Sequence, residues 1–421
     1  MALTTPKNPN YAAVVVRLTA VNALDGCDNI AGAPVLGFQA IVGKDRAPGD
    51  VGIVFTAETQ LSEEFAHANN LHREPELNAD PAEKGYLEKT RRVRAIKLRG
   101  HRSDALFMPL ESLAHTGFDI TKLTPGDTFD ELNGHEICRK YEVASKATQP
   151  LVEKNKRKTF TRVDQRYLPE HVSTDQYFRV ERQIPADTRI VASQKVHGTS
   201  IRVGHTLVAR KLTWLERIGR KLGVNVQLTE FDYVYASRRV VKDANNPDQQ
   251  HFYDNDVWTH YGKQLDGLLP KNYIVYGELV GWEPNGKALQ AGYTYGMPVG
   301  HAELLVYRVA VVNEQGISVD LSWDAVKEFC RDRDLMHVPE LWSGLHADFV
   351  AEDWLDKRFH DEGYRQALPL DPGKTVDEGV VLRVEGIVPY FAKAKSPAFY
   401  AFETKQNDKG VVDLESLGDA A

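Results

Sequence analysis

The chain of 421 residues is poor in cysteine: Cys27, Cys138 and Cys330 are its only three, and they lie far apart. No metal-ligand spacing joins them, so a disulfide framework and a cysteine-based zinc centre are both excluded as organising devices. An apolar run of membrane length is lacking too, as is a secretory leader. A cytoplasmic protein with no membrane partner, expected to be a monomer, is the reading that follows. Positive charge is not in excess either: 52 Lys and Arg stand against 59 Asp and Glu, for a formal net charge of −7 and a pI near 6.1. That balance argues against a surface that grips nucleic acid everywhere, while local basic patches can still bind phosphate in a salt-sensitive way. Hydrophobic content (42%) and charged content (26%) are those of an ordinary globular protein. The length exceeds one usual core, so two domains are expected.

What is present begins with Gln194-Lys195-Val196-His197-Gly198-Thr199-Ser200. A β-branched run ending Arg189-Ile190-Val191-Ala192 precedes it and Ile201-Arg202-Val203-Gly204 follows, which reads as strand, tight turn, strand. Lys195 then stands in a turn built around Gly198 and is a candidate nucleophile. Downstream, Tyr273-Ile274-Val275-Tyr276-Gly277-Glu278-Leu279 delivers a carboxylate along an apolar strand, and Asp377-Glu378-Gly379-Val380-Val381 opens another with one. Phe391-Ala392-Lys393-Ala394-Lys395 follows. Residues two apart share a face of a strand, so Lys393 and Lys395 are expected to reach one cleft. Each of these charges, taken singly, is a solvated strand end. Their order, Lys, Glu, Glu, Lys-x-Lys, makes a common site the better reading.

On these residues the chain resembles the covalent nucleotidyltransferase superfamily of polynucleotide ligases and messenger-RNA capping enzymes, over about half its length. Lys195-Val196-His197-Gly198 is similar to the Lys-x-His-Gly form of a group of ATP-dependent RNA ligases, whereas DNA ligases and capping enzymes usually carry Asp before the glycine. Pro169-Glu170-His171-Val172-Ser173-Thr174-Asp175-Gln176 resembles a leading segment of those ligases, and Tyr235-Ala236-Ser237-Arg238 their Ser-Arg element. The resemblance implies ATP as cofactor, with Mg2+ or Mn2+, and RNA or an RNA-containing nicked duplex as partner. It further implies a lysyl-AMP on Lys195, transfer of AMP to a 5′-phosphate, and attack by a 3′-hydroxyl, in the manner of RNA repair.

The chemistry of the residue types agrees. A free lysine is protonated at neutral pH, so the site has to favour the amine, and cations nearby do so. Lys393 and Lys395, with a divalent metal, would also stabilise the phosphoryl oxygens as charge develops on them. Glu378 is the main metal candidate, with Glu278 either joining it or binding the ribose hydroxyls; hard oxygen ligands suit magnesium or manganese. His197 is expected to hydrogen-bond within the turn. The resemblance assigns Gln194, His197, Gly198, Arg202, Arg238, Glu278 and Tyr307 to cofactor binding, Arg238 at the ribose or phosphate and Tyr307 stacked on the base. Tyr307 also fits a plain packing role in a sheet core. Gln194 departs from the Glu that the related ligases place before the lysine; an amide both donates and accepts, so a base contact survives.

The expected fold class is α+β. A C-terminal nucleotidyltransferase (ATP-grasp-like ligase) domain of antiparallel sheets and helices, residues 167–421, would follow a small OB-like β-barrel over 1–150 and a basic linker over 151–166. About five strands with Gly and Pro turns suggest the barrel: Tyr11 to Leu18, Val35 to Val42, Gly52 to Phe55, Val93 to Arg99 and Ala105 to Leu110. An RNA ligase group with an N-terminal OB-like module has a similar layout. Arg94, Lys97 and Arg99 make that module a candidate nucleic-acid clamp through phosphate contacts.

The stretch from Ala66 to Lys89 reads as a loop or helix excursion. Leu212 to Leu222 has apolar positions at helical spacing and basic residues opposite, which suits either a phosphate-facing helix or a surface helix packed by Trp214, Leu215, Ile218 and Leu222. Ser322 to Asp334 reads as a scaffold helix. Only a short tail is expected after Lys395. A DNA ligase, a capping-type guanylyltransferase and a non-catalytic nucleic-acid end-binding protein are the alternatives.

Overall fold

The computed structural model describes residues 3–143, 162–243, 249, 253–355, 368–372 and 376–411. Most of the expected linker, 151–161, lies outside the described residues. The chain divides into two compact units whose boundaries do not follow chain order. Described residues 3–143 are joined by 175–181 and 395–411 in one unit, and 162–174, 182–243, 249, 253–355, 368–372 and 376–394 form the other. Among the described residues no helix is long and apolar enough to cross a membrane.

The first unit is built on a seven-stranded sheet, in the order Thr128–Phe129, Ala13–Arg17, Val51–Thr56, Ala105–Pro109, Phe38–Gly43, Ile30–Val35, Asn22–Ala23. Val35 to Val42, expected as one strand, is a hairpin. Leu36 and Gly37 both take positive φ (52° and 76°), the backbone of a two-residue turn whose twist matches its flanking strands. The continuous run Ala13-Val14-Val15-Val16 is explained by burial on both faces: Ala13 and Val15 pack with Ile53, Phe55 and Phe65, while Val14 and Val16 pack with Phe38, Val54 and Phe107. The expected strand Val93 to Arg99 is shorter, Ile96–Leu98, and turns through Arg99 and Gly100 to pair with His101–Ser103. Helix Pro397–Asp408 belongs to this unit: buried Glu58 accepts from Thr404 Oγ1 and Asn407 Nδ2, both at 2.6 Å.

The second unit holds two antiparallel sheets. One runs Thr229–Ala236, Thr199–Ala209, Tyr273–Gly281, Ala302–Val312, Ser318–Asp320. The other includes, in order, Tyr390–Lys395, Gly379–Val384, Arg189–Gln194 and Glu340–Leu345. Helix Trp323–Arg331 follows its N-cap Ser322, whose hydroxyl accepts from Ala325 N, and buries Trp323, Val326, Phe329 and Cys330. The expected helix near Leu212 is Trp214–Lys221, opened by a capping box between Thr213 and Glu216. Of the two readings left open for it, the one with these apolar side chains packed is not met: Trp214, Leu215, Ile218 and Leu222 are exposed.

Candidate active site

The strand Arg189–Gln194 ends where its backbone leaves the sheet, and the turn that follows is fixed by backbone contacts. Lys195 N donates to Gly379 O at 2.8 Å, and His197 N donates to the hydroxyl of Tyr295 at 2.7 Å. Gly198 is required by close approach: a Cβ built there would stand 2.2 Å from Leu279 O and 3.0 Å from Glu278 Cγ. The turn therefore lies directly on the strand that carries Glu278. The sheet register places Ser200 opposite Glu278, and Ser200 Oγ donates to Glu278 Oε2 at 3.1 Å.

These constraints bury Lys195 (7% exposed) with its Nζ 2.9 Å from Glu378 Oε1, itself 1% exposed. The other oxygen of Glu378 lies 3.2 Å from His197 Nδ1. His197 is hemmed in edge-on by Tyr293, with ring centroids 4.7 Å apart. It is thus held in the turn by Glu378, Tyr293 and Tyr295, an arrangement suited to shaping the motif.

A cavity opens beside Lys195. Gln194, Lys195, Ser200, Arg238, Glu278 and Tyr307 line it together. Tyr307 is tied to His171, its hydroxyl 2.5 Å from His171 Nδ1, and burial pushes that hydroxyl far above the usual tyrosine range. Lys-Glu contact apart, the lining is a mixture of apolar walls and polar points: Val172, Val191, Val338, Val381, Trp323 and Phe391 with Arg308 and Arg383. Such a surface suits a flat base and an anionic group better than a purely charged ligand.

Three sequence expectations are redirected. Arg202 does not line the cavity. It is 1% exposed, and donates from Nε to Ser237 O (3.0 Å) and from Nη1 to Leu168 O (2.9 Å), bracing the Ser237-Arg238 turn from within the sheet. Gln194 touches the cavity, but its amide is engaged: Oε1 accepts from Leu368 N at 2.8 Å and Nε2 donates to Asp377 Oδ1 at 3.0 Å. It fastens a chain segment more than it presents a free edge. Lys393 is not in the cavity wall. Phe391 is, and Lys393 continues the same strand face one pleat beyond, about 7 Å on. Lys395, the last residue of that strand, is where the chain passes back into the first unit, and its Nζ lies 3.2 Å from Glu403 Oε1.

Of the basic residues expected to clamp nucleic acid, Lys97 and Arg99 are exposed on their hairpin. Arg94 is not available in that sense, because it pairs with Glu88 (2.9 Å) and Asp408 (2.6 Å).

Sequence reasoning missed His171, Ser193, Trp323, Arg308, Arg383 and Phe391 as cavity residues. Phe391 could have been found from its parity with Lys393. Ser193 could have been found from its place two residues before Lys195, and His171 lies in the segment 169–176 already singled out; Trp323, Arg308 and Arg383 are brought in by distant elements.

Among the described residues, no group of three or more His, Cys, Asp or Glu is gathered to hold a metal. Two buried carboxylates, Glu278 and Glu378, nevertheless flank the turn of Lys195. That donor set fits a hard divalent cation which takes its remaining ligands from phosphate and water, as magnesium commonly does.

A protein-family model described as RNA ligase matches residues 188–397, about half of the chain. No curated protein matches the chain by sequence. Solved structures of Naegleria gruberi RNA ligase are similar in fold. The one with PPi is 16% identical with a TM-score of 0.58, covering 93% of this chain and 98% of that one. A mutant with ATP and Mn gives 14% identity and a TM-score of 0.56, covering 94% and 99%. Another mutant, with AMP and Mn, gives 15% and 0.57, covering 92% and 97%.

Proposed function

The chain belongs to the RNA ligase family through residues 188–397, and from that membership we propose that it joins RNA 3′-hydroxyl and 5′-phosphate ends with ATP, through AMP carried on Lys195. The observation that carries this reading is the buried Lys195 at a cavity wall, 2.9 Å from the Glu378 carboxylate. In the first step Lys195 Nζ attacks the α-phosphorus, an N–P bond forms, and the bond to the β-phosphate oxygen breaks to release pyrophosphate. Glu378 Oε1 is the oxygen that faces the proton Lys195 has to shed. In the second step a 5′-phosphate oxygen displaces lysine from the AMP phosphorus. In the third, the 3′-hydroxyl attacks the 5′-phosphorus and AMP leaves with the bridging oxygen.

Around this chemistry Arg238 faces the sugar or phosphate, and Tyr307, held by His171, offers its ring to the base. Magnesium or manganese bound by Glu378 and Glu278 would supply positive charge to the phosphoryl oxygens. Structures of Naegleria gruberi RNA ligase with ATP and Mn and with AMP and Mn support a nucleotide and a divalent metal as cofactors. Lys393 is proposed as a further cation for the phosphates. The N-terminal unit, with Lys97 and Arg99 on an exposed hairpin, is proposed as the OB-like module that holds RNA, with the polypeptide acting as a cytoplasmic monomer in RNA repair.

The test is a matrix of nucleotides and ends: ATP or GTP, with RNA or DNA 3′-hydroxyl ends, single-stranded or nicked. Sealing with ATP and RNA 3′-ends, lost in Lys195→Met, is expected. Sealing with GTP alone, or equal sealing by Lys195→Met, would overturn the proposal.

A further inference from the structure

The helix Trp214–Lys221 has no part in the cavity, yet it is the most unusual surface of the second unit. It sits in an excursion between two paired strands: Ala209 pairs with Thr229, and Arg210 N donates to Leu228 O at 2.9 Å, so residues 211–227 leave the sheet and return to it. A hairpin could be closed with two residues, so the excursion is surplus to the fold. Local signals define it well, with its capping box at Thr213 and Glu216 and a left-handed Gly223 (φ 84°) ending it. Defined backbone is then combined with solvent-facing apolar side chains: Trp214 is 68% exposed, Leu215 62%, Ile218 46% and Leu222 78%.

Two rows run along this helix. Trp214, Ile218 and Leu222 recur every four residues and make one apolar row, about 12 Å long at 1.5 Å per residue. Arg217 and Lys221, also four apart, make a basic row beside it, with Arg220 behind them. All three are exposed, and none has an ion-pair partner among the described residues. Glu216, the acid of the helix's first turn, is committed to Thr213 and Arg210. In a chain of net charge −7, the segment from Arg210 to Lys221 holds Arg210, Lys211, Arg217, Arg220 and Lys221 against Glu216 alone.

A single-stranded nucleic acid presents the same two rows, unpaired bases on one edge and phosphates on the other. A duplex keeps its base faces stacked inside. A lipid surface would take a helix of this kind as well, and what favours RNA is that the same unit carries the candidate ligase cavity. We propose that this helix is a docking ridge for a single-stranded segment of the RNA substrate, with Trp214 stacking on a base and Arg217, Arg220 and Lys221 on phosphates. The inference rests on the RNA ligase reading of the cavity. The strand Thr199–Ala209 separates the ridge from the nucleophile turn by roughly 33 Å at 3.3 Å per residue, so the ridge holds the strand well away from the end being sealed.

The experiment uses the full chain and a fluorescent, 5′-phosphorylated single-stranded RNA of twenty nucleotides, with its duplex form and vesicles of phosphatidylserine and phosphatidylcholine as comparison probes. Trp214→Ala is expected to weaken single-strand binding roughly tenfold and leave duplex binding unchanged. Arg217→Ala with Lys221→Ala is expected to lower the slope of log affinity against log salt by about 2. Label transfer from α-labelled ATP should stay at the wild-type level in both variants. Wild-type single-strand affinity in both overturns the ridge, as does vesicle binding that alone depends on Trp214. Failure of the wild-type chain to take label from ATP would instead overturn the ligase reading, and the two failures are thereby distinguished.

Discussion

Lys195 and Glu378 form a buried ion pair, Nζ to Oε1 at 2.9 Å, between a turn that leaves one strand and the residue that opens its neighbour. Register brings them together: Gln194 pairs with Val380, so the residues just beyond each strand end meet. Removing one partner of a buried pair leaves the other uncompensated, at a cost of about 3–5 kcal/mol. Glu378→Gln is therefore expected to lower stability in denaturant titrations by an amount of that order and to lose label transfer. Lys195→Met combined with Glu378→Gln should regain most of the stability and none of the activity. A double variant no more stable than Glu378→Gln would show that the pair is not coupled.

Gly198 has no room for a methyl group, with Leu279 O at 2.2 Å from the built Cβ. Gly198→Ala has to push the motif turn off the Glu278 strand. A shift of about 1 Å in a catalytic group costs on the order of a hundredfold in rate. Single-turnover label transfer should fall by about that factor in a variant that still folds, and near-normal transfer would contradict the packing described.

The basic residues of the N-terminal unit divide into two kinds. Lys97 and Arg99 are exposed on a hairpin, while Arg94 pairs with Glu88 and Asp408. Lys97→Ala with Arg99→Ala is expected to reduce the salt slope of RNA binding by about 2 without changing the melting temperature. Arg94→Ala is expected to lower the melting temperature and leave the salt slope alone. The opposite division would reassign Arg94 to RNA.

Lys242 is buried over the ring of Trp258, with Nζ 3.8 Å from its centroid, and burial pushes its ammonium down to about 8. Below that pH the charge is present both folded and unfolded, and the folded state carries the penalty. Between about 8 and the ordinary lysine value the unfolded chain binds the extra proton, so stability rises with pH. Denaturant midpoints measured from pH 7 to 10 should rise in the wild type relative to Lys242→Met. Parallel profiles would contradict a buried charge there. Trp258 Nε1 also donates to Ser200 O at 3.0 Å, which links this position to the strand bearing the motif.

Much of the candidate site is legible in the sequence. Lys195, Gly198 and Glu378 sit beside the ends of apolar strands and Glu278 lies within one, Tyr273–Gly281; runs this long and regular locate strands well. Arg202 and Arg94 were misread for one reason: sequence shows that a side chain is charged, but its partners, Ser237 and Leu168 for one and Glu88 and Asp408 for the other, come from elsewhere in the chain. The Leu36-Gly37 turn was hidden because Leu is not a usual residue at positive φ. Helix Trp214–Lys221 was legible as a helix from its cap and spacing, but not as an unpacked one, since periodicity cannot tell a covered apolar face from a bare one. The assignment of Pro397–Asp408 to the N-terminal unit depends on Glu58 and Arg92, more than three hundred residues earlier, and no local pattern announces it.

The most direct test of the central claim is to incubate the purified full chain with α-labelled ATP and a divalent metal, separate it under denaturing conditions and map the labelled peptide. Label on Lys195, removed by pyrophosphate and absent from Lys195→Met, is the predicted result. Protein shown to be free of preloaded AMP that takes no label, or that takes it at another residue, would contradict the account.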